Sequence, residues 1–376
     1  MSGEFWFLAI AGNESNRFAL TITGATSSVD WKLAGRVGRS VAGPDPLVDS
    51  YLSSSLFEDF SQLTSQAESL VAQHTGLRAP GFARARVLDR HEWLDANLVS
   101  LRRLLSPLLE RISNKSSRFA PLQTRVTAAE MGFLLGWMSK RVLGQYDVLV
   151  PESSDQDRGD SVYYVGTNIL LLEKKFSFRP RDFRLWIAIH EVTHRAQFLG
   201  VPWMQSYYTG LVKEALSHFD PDPRALSLAW ARVVEAVRRG NNPLAEGGIA
   251  ALVASPEQQE GLRKIQALMS LLEGHGNRVM NELGQKHVVG QKRMAQVLDA
   301  RRKRRGVSAI FSQLVGLDAK MRQYEVGEAF VTAVELAAGP RALDTAWRGP
   351  EFLPTVTELI APEVWLKRVG LSVSVS

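Results

Sequence analysis

Residues 179–202 constrain the fold of this 376-residue chain more than any other stretch. Pro180 suits a first helical turn, and Asp182 suits its positive end. Phe183, Trp186, Ile187, His190, His194 and Phe198 (or Gln197) then recur at helical spacing before Gly200 and Pro202 close the segment. The pattern predicts a capped amphipathic helix.

That helix carries His190-Glu191-Val192-Thr193-His194. Residues four apart share a helical face, so both imidazoles can reach one ion. Glu191 then points to the ligand position left open and can take a proton from a metal-activated water. In random chains of this length and composition the five-residue pattern arises on the order of once in a hundred, so the surrounding sequence must support it. A single histidine on an apolar face is ordinarily a packed core residue. Two of them enclosing an acid on a capped helix favour a metal, because a buried acid beside two imidazoles requires a counter-charge.

The chain contains no cysteine, which excludes disulfides, thiolate ligands and a cysteine nucleophile. A metal must therefore be held by imidazole and carboxylate, which suits catalytic Zn2+. Apolar content of 45% and charged content of 22% match an ordinary globular protein, with enough chain for a large core. No apolar run approaches a bilayer span. The opening Phe5–Ile10 stretch is too short for a signal peptide and lacks a basic start. We read it as a strand pairing with Phe18–Thr23 in a hairpin-like extension over residues 1–28, and we expect a cytoplasmic protein. The net charge of +6 is concentrated in Arg301-Arg302-Lys303-Arg304-Arg305. No aromatic residue interleaves that run to stack on bases, so it reads as a solvated helix end and nucleic acid is not the expected partner.

Helical signals dominate the rest, at 50–73, 89–112, 124–143, 206–219, 223–239, 255–283, 311–338 and 362–368. Gly132 and Gly136 inside one of them point to close helix–helix approach. Short strands are expected at 145–150 and 161–165. The expected fold is mainly α, with a small β-sheet beside the active-site helix and residues 29–376 forming a single domain.

Catalytic zinc ordinarily takes three protein ligands. Glu214 follows His194 at a spacing like that of thermolysin-type enzymes, but could equally lie on the wet side of its helix. Glu273 and His275 lie on the helix opened by Ser255-Pro256, at opposite edges of a stripe formed by Leu262, Ile265, Met269, Leu272, Val279 and Leu283. They are about 200° apart on a wheel, so one regular helix is not expected to offer both to one ion. Gly274 and Gly276 flank His275 and permit close approach by another backbone. Spacing alone leaves the three candidates open.

A family resemblance covers most of the chain. Arg141-Val142-Leu143-Gly144-Gln145-Tyr146-Asp147, Tyr164-Val165-Gly166, Arg181-Asp182-Phe183-Arg184-Leu185-Trp186, the histidine motif with Arg195, Val201-Pro202-Trp203, Leu272-Glu273-Gly274-His275-Gly276 and Lys320-Met321-Arg322-Gln323-Tyr324 with Gly327 and Phe330 are carried in order. Together they resemble the zincin-like metallopeptidase type 2 family, whose members are also associated by name with deazaflavin-coenzyme biosynthesis. The resemblance implies a zincin-like fold, zinc, a hydrolase activity and Glu273 as the third ligand. It also implies an aspartate that steadies a ligand histidine where this chain has Asn277. An amide accepts a hydrogen bond but brings no charge, so weaker metal binding or turnover is expected.

Two functions follow. The first is a zinc-dependent hydrolase, a metallopeptidase cleaving a peptide or small amide substrate. His190, His194 and Glu273 are its ligands, Glu191 its base, and Tyr324, His275 or Arg195 its oxyanion donor. Strand 161–165 is expected to align an extended peptide. The second is a zincin-shaped binding or scaffold protein with little catalysis, favoured by Asn277 and by the lack of an assigned oxyanion donor.

Overall fold

The computed structural model describes residues 29–46, 50, 55–113, 120–148, 160–217, 256–303 and 317–371. The expected hairpin in residues 1–28, the helix at 223–239 and the Ser255 cap lie outside them. So does the end of the basic run, Arg304-Arg305.

In chain order the elements are α1 (Trp31–Ala42), α2 (Leu56–Thr75), β1 (Arg84–Leu88), α3 (Arg90–Ser113), α4 (Ala120–Ser139), β2 (Gly144–Tyr146) and β3 (Ser161–Val165). Then follow α5 (Gly166–Phe176), α6 (Pro180–Gly200), α7 (Met204–Ser217), α8 (Pro256–His287), α9 (Gln291–Lys303) and α10 (Leu317–Ala338). Two 3-10 turns (Ala342–Trp347 and Pro350–Phe352), α11 (Val356–Ile360) and α12 (Pro362–Arg368) close the described chain. The architecture is mainly α, as expected. No helix among the described residues is long and apolar enough to cross a membrane.

Local chemistry accounts for several boundaries. The Asp89 carboxylate accepts from the backbone N–H groups of His91 and Glu92, and Glu92 accepts from the N–H of Asp89, a reciprocal cap that starts α3. Gly76 ends α2 at φ 74°, a conformation costly for any residue with a Cβ. Pro180 occupies the first turn of α6 with Asp182 behind it, and Asp182 also accepts from the backbone of Val289 at 3.1 Å.

The sheet has the order β1-β3-β2, with β1 parallel and β2 antiparallel to β3. Strand β3 is thus paired on both sides and has no free edge for a peptide, which corrects the expectation that residues 161–165 align substrate by strand addition. The sheet does lie beside α6, which β2 and β3 both touch.

Helix α6 is the centre of the molecule, packed by α2, α8 and the sheet. Every residue from Phe183 to Phe198 is buried, so the helix that its pattern predicts as amphipathic has no exposed face over that stretch. A helix buried all round is ordinarily apolar throughout. This one carries Arg184, His190, Glu191, Thr193, His194, Arg195 and Gln197 inside the core. Arg184 pairs with Glu173 at 2.8 Å and with Asp59. Arg195 pairs with Glu68 at 2.7 Å and with Asp160, and donates to the carbonyl of Pro80. These two arginines tie α6 to α5, α2 and the start of β3.

Close helix crossings bring the remaining layers together. A Cβ on Gly132 or Gly136 would fall 2.2 Å from a carbonyl oxygen of α1, at Ala34 and Gly38, so α1 and α4 meet backbone to backbone as the glycines predict. The same device joins α8 to α10, where a Cβ on Gly274 would lie 2.2 Å from the Gly327 carbonyl carbon. Helix α8 contributes Ile265, Leu268, Met269, Leu272, Val279 and Leu283 to the main core. Its Ala267 and Leu271 enter a second core with Phe330, Val334 and Trp365.

Candidate metal centre

The site forms where α6 and α8 face each other. His190 and His194 stand one turn apart on α6, with ring centroids 4.6 Å apart and planes nearly perpendicular. Their Nε2 atoms lie 3.2 Å from each other. Glu273 of α8 brings Oε2 to 3.7 Å from the Nε2 of His190 and Oε1 to 3.6 Å from that of His194. All three residues are at most 3% exposed, and one ligand atom from each falls within 4.8 Å of the others.

These separations test whether zinc fits. Two donors each about 2.0–2.1 Å from a tetrahedral ion stand about 3.3 Å apart. The separations of 3.2 Å between the imidazoles and 3.6 and 3.7 Å to the two oxygens of Glu273 lie within half an ångström of that spacing. The donor set, two neutral imidazoles and one carboxylate, is the nitrogen and oxygen combination that divalent zinc prefers when thiolates are absent. The residues fit the ion.

Of the three candidate third ligands, the structure brings Glu273 to the histidines and leaves the others out. Glu214 is exposed on α7. His275 is buried beside the ligand group but not part of it, its ring tilted against Trp347 at 5.2 Å and its Nδ1 2.8 Å from Gln197. Burial, with the nearby His194 and His74, lowers the pKa of His275 to about 3, so its ring is neutral. His194 differs. Burial acts to lower its pKa, but the charges of Glu273 and then Glu191 raise it above the ordinary 6.5.

Glu191 is buried against the sheet, and its position depends on a glycine. A Cβ at Gly144 of β2 would come within 2.7 Å of Glu191 Cγ and Oε1, so the carboxylate occupies the space that any other residue there would fill. Its charge reaches neighbouring groups. The Tyr164 hydroxyl, hydrogen-bonded to Thr64 at 2.8 Å, has its pKa raised by burial foremost and also by Glu191, against the effect of Thr64.

Gln197, one turn beyond His194, was not assigned a role from the sequence. Its Oε1 lies 2.9 Å from the Nδ1 of His194. Its Nε2 is 2.9 Å from the carbonyl of Leu272 and 2.8 Å from the Nδ1 of His275. The oxygen partner of His194 is therefore Gln197. The i, i+3 spacing of residues 194 and 197 was the available signal. Gly276 also has a local reason, since a Cβ there would meet Cε1 of His194 at 3.2 Å and Cε1 of His190 at 3.5 Å. Arg195 points away from the site into its own carboxylate pair, which removes it as an oxyanion donor. The side chain of Tyr324 lies outside the described residues.

The arrangement thus offers three convergent ligands and an acid one residue along from the first histidine. Among curated proteins none matches the chain. A crystal structure from Chloroflexus aurantiacus, described as a "putative hydrolase with a novel fold", is similar at 30% identity with a TM-score of 0.66, over 91% of this chain and 99% of that one. The model of the zincin-like metallopeptidases matches residues 29–366. With His190, Glu191, His194 and Glu273 assembled inside that span, the chain belongs to the zincin-like metallopeptidase family.

Proposed function

We propose that this protein is a zinc-dependent hydrolase, a metallopeptidase that cleaves the amide bond of a peptide or small amide. The observation that carries the reading is the convergence of the His190, His194 and Glu273 donor atoms within 4.8 Å, with Glu191 beside them on the same helix. When bound, zinc lowers the pKa of a water toward neutrality and polarises a carbonyl. His190, His194 and Glu273 hold the ion, and their burial keeps competing water from the donor atoms. Glu191, fixed against Gly144, accepts the proton of the attacking water and returns it to the leaving amine.

The alternative is a zincin-shaped binding or scaffold protein with little catalysis, favoured by Asn277 and by the lack of an assigned oxyanion donor. The deciding experiment compares wild type with Glu191→Gln for bound zinc and for cleavage of a broad peptide library. We expect equal zinc content and a fall in turnover of about 100- to 10,000-fold. Equal cleavage by both proteins, or wild type that takes up no zinc, overturns the reading.

A further inference from the structure

Gln197 is fully buried and uses its whole amide on three partners around the site. We propose that Gln197 is the positioning residue that assigns the tautomers of both His194 and His275. It holds a proton on Nδ1 of the first and on Nε2 of the second.

The argument begins at the Leu272 carbonyl, which can only accept. The Gln197 atom 2.9 Å from it must therefore be the amide nitrogen, because a flipped amide would press oxygen against oxygen. The carbonyl oxygen of Gln197 consequently faces the Nδ1 of His194 at 2.9 Å, so that nitrogen carries a hydrogen. Nε2 of His194 is then the atom that offers its electron pair toward His190 and Glu273. Any proton displaced by a metal leaves from Nε2, since Nδ1 keeps its proton whether the ring is charged or neutral.

The second N–H of Gln197 points at the Nδ1 of His275 at 2.8 Å. A protonated Nδ1 would set two donors against each other at that distance, so it is an acceptor and the proton resides on Nε2. One side chain thereby fixes opposite tautomers in two imidazoles, and an α8 backbone carbonyl anchors it. Because Leu272 is the residue before Glu273, the carbonyl that locks the amide and the carboxylate that completes the metal site move as one piece of α8.

The zinc arm of the test rests on the proposed metal function; the tautomer arm does not. The full chain would be labelled with 15N-histidine, and long-range 15N–1H spectra recorded with and without zinc. Its seven histidines would be assigned with single histidine variants. We expect His275 as the Nε2–H form and His194 with a proton on Nδ1 in both states. In Gln197→Met, His275 should lose its single tautomer, and zinc affinity should fall about 10- to 100-fold. In His275→Phe, the amide stays anchored by Leu272, so the His194 signal and zinc affinity should stay within about threefold of wild type.

Wild-type His275 protonated on Nδ1, or Gln197→Met with wild-type spectra, overturns the proposal. Should a variant fail to fold, the wild-type spectrum alone decides. Failure of wild type to bind zinc, with the tautomers as stated, defeats the metal reading and leaves the positioning role standing.

Discussion

Helix α6 holds two kinds of buried polar site, and their difference identifies the functional one. At Arg184 and Arg195 the cation comes from the protein, and each guanidinium meets two carboxylates in direct hydrogen-bond contact. At the other site the helix supplies imidazoles, a carboxylate faces them from α8, and the separations of 3.6 and 3.7 Å exceed hydrogen-bond length. The first arrangement is closed by its own charges. The second has the spacing of atoms that share an ion. Charged residues in one helix core thus divide by whether their partners touch, and residue type alone does not make the division.

The comparison is broken most severely by removing ligands. His190→Ala combined with His194→Ala should lower zinc affinity by more than the about 10- to 100-fold attributed to loss of an outer partner. Chelator competition reads the effect, and zinc retention equal to wild type would place the ion elsewhere.

Arg195→Met tests the closed site. Breaking a buried ion pair leaves carboxylates without their cation, and the expected loss is about 3 kcal/mol, reduced somewhat because Asp160 and Glu68 keep partial contact with water. Denaturant unfolding should show that loss equally with and without zinc. A destabilisation that zinc abolishes would mean that the two sites are one network.

Two glycines on α8 sharpen the contrast at smaller cost. Gly274→Ala must push against the α10 backbone and should cost about 1–3 kcal/mol in melting experiments. Gly276→Ala meets only the edges of the two imidazoles, at 3.2 and 3.5 Å. Its effect should therefore appear in zinc affinity, about tenfold or less, more than in the stability of the metal-free protein. The reverse pattern would show that Gly276 serves the fold and Gly274 the site.

The smallest effect is a pH dependence whose sign follows from His194. Its pKa is raised in the folded protein, so its contribution to metal-free stability is full below the ordinary 6.5 and is lost as pH rises through the folded value. Zinc requires Nε2 without its proton. The rise in Tm on adding zinc should therefore grow as pH rises above the ordinary 6.5, as thermal melts across that range at fixed free zinc would show. A zinc increment that is flat or shrinks across that range would remove His194 from the ligand set.

Much of this was legible in the sequence where local rules and tertiary context agree. Strand β3 and α12 fall at their expected residues, and α3 and α6 within a residue or so, because Pro and Gly punctuation marks β3, α6 and α12 and the Asp89 cap marks the start of α3. Strand β1 was not legible. Arg84 and Arg86 break its apolar character, and it exists through parallel pairing with β3. Helix α5 begins directly at the end of β3, with Val165 in a capping position that gives no side-chain bond, so no start signal marks it. The histidines and Glu191 were readable because one helical turn fixes their relation. Glu273 was not fixed by spacing, since its meeting with α6 depends on how two separate helices pack. Gln197 was hidden because two of its three partners lie on α8.

The contribution of Glu273 from a different helix makes the ion, once held, a staple as well as a reagent. It would join α6 to α8 and close the intervening chain into a loop that cannot open while both ends are gripped. Loss of the ion would then do more than silence chemistry. It would free one side of the central helix to separate, and the protein stripped of zinc should fall apart sooner than the loaded form under the same load.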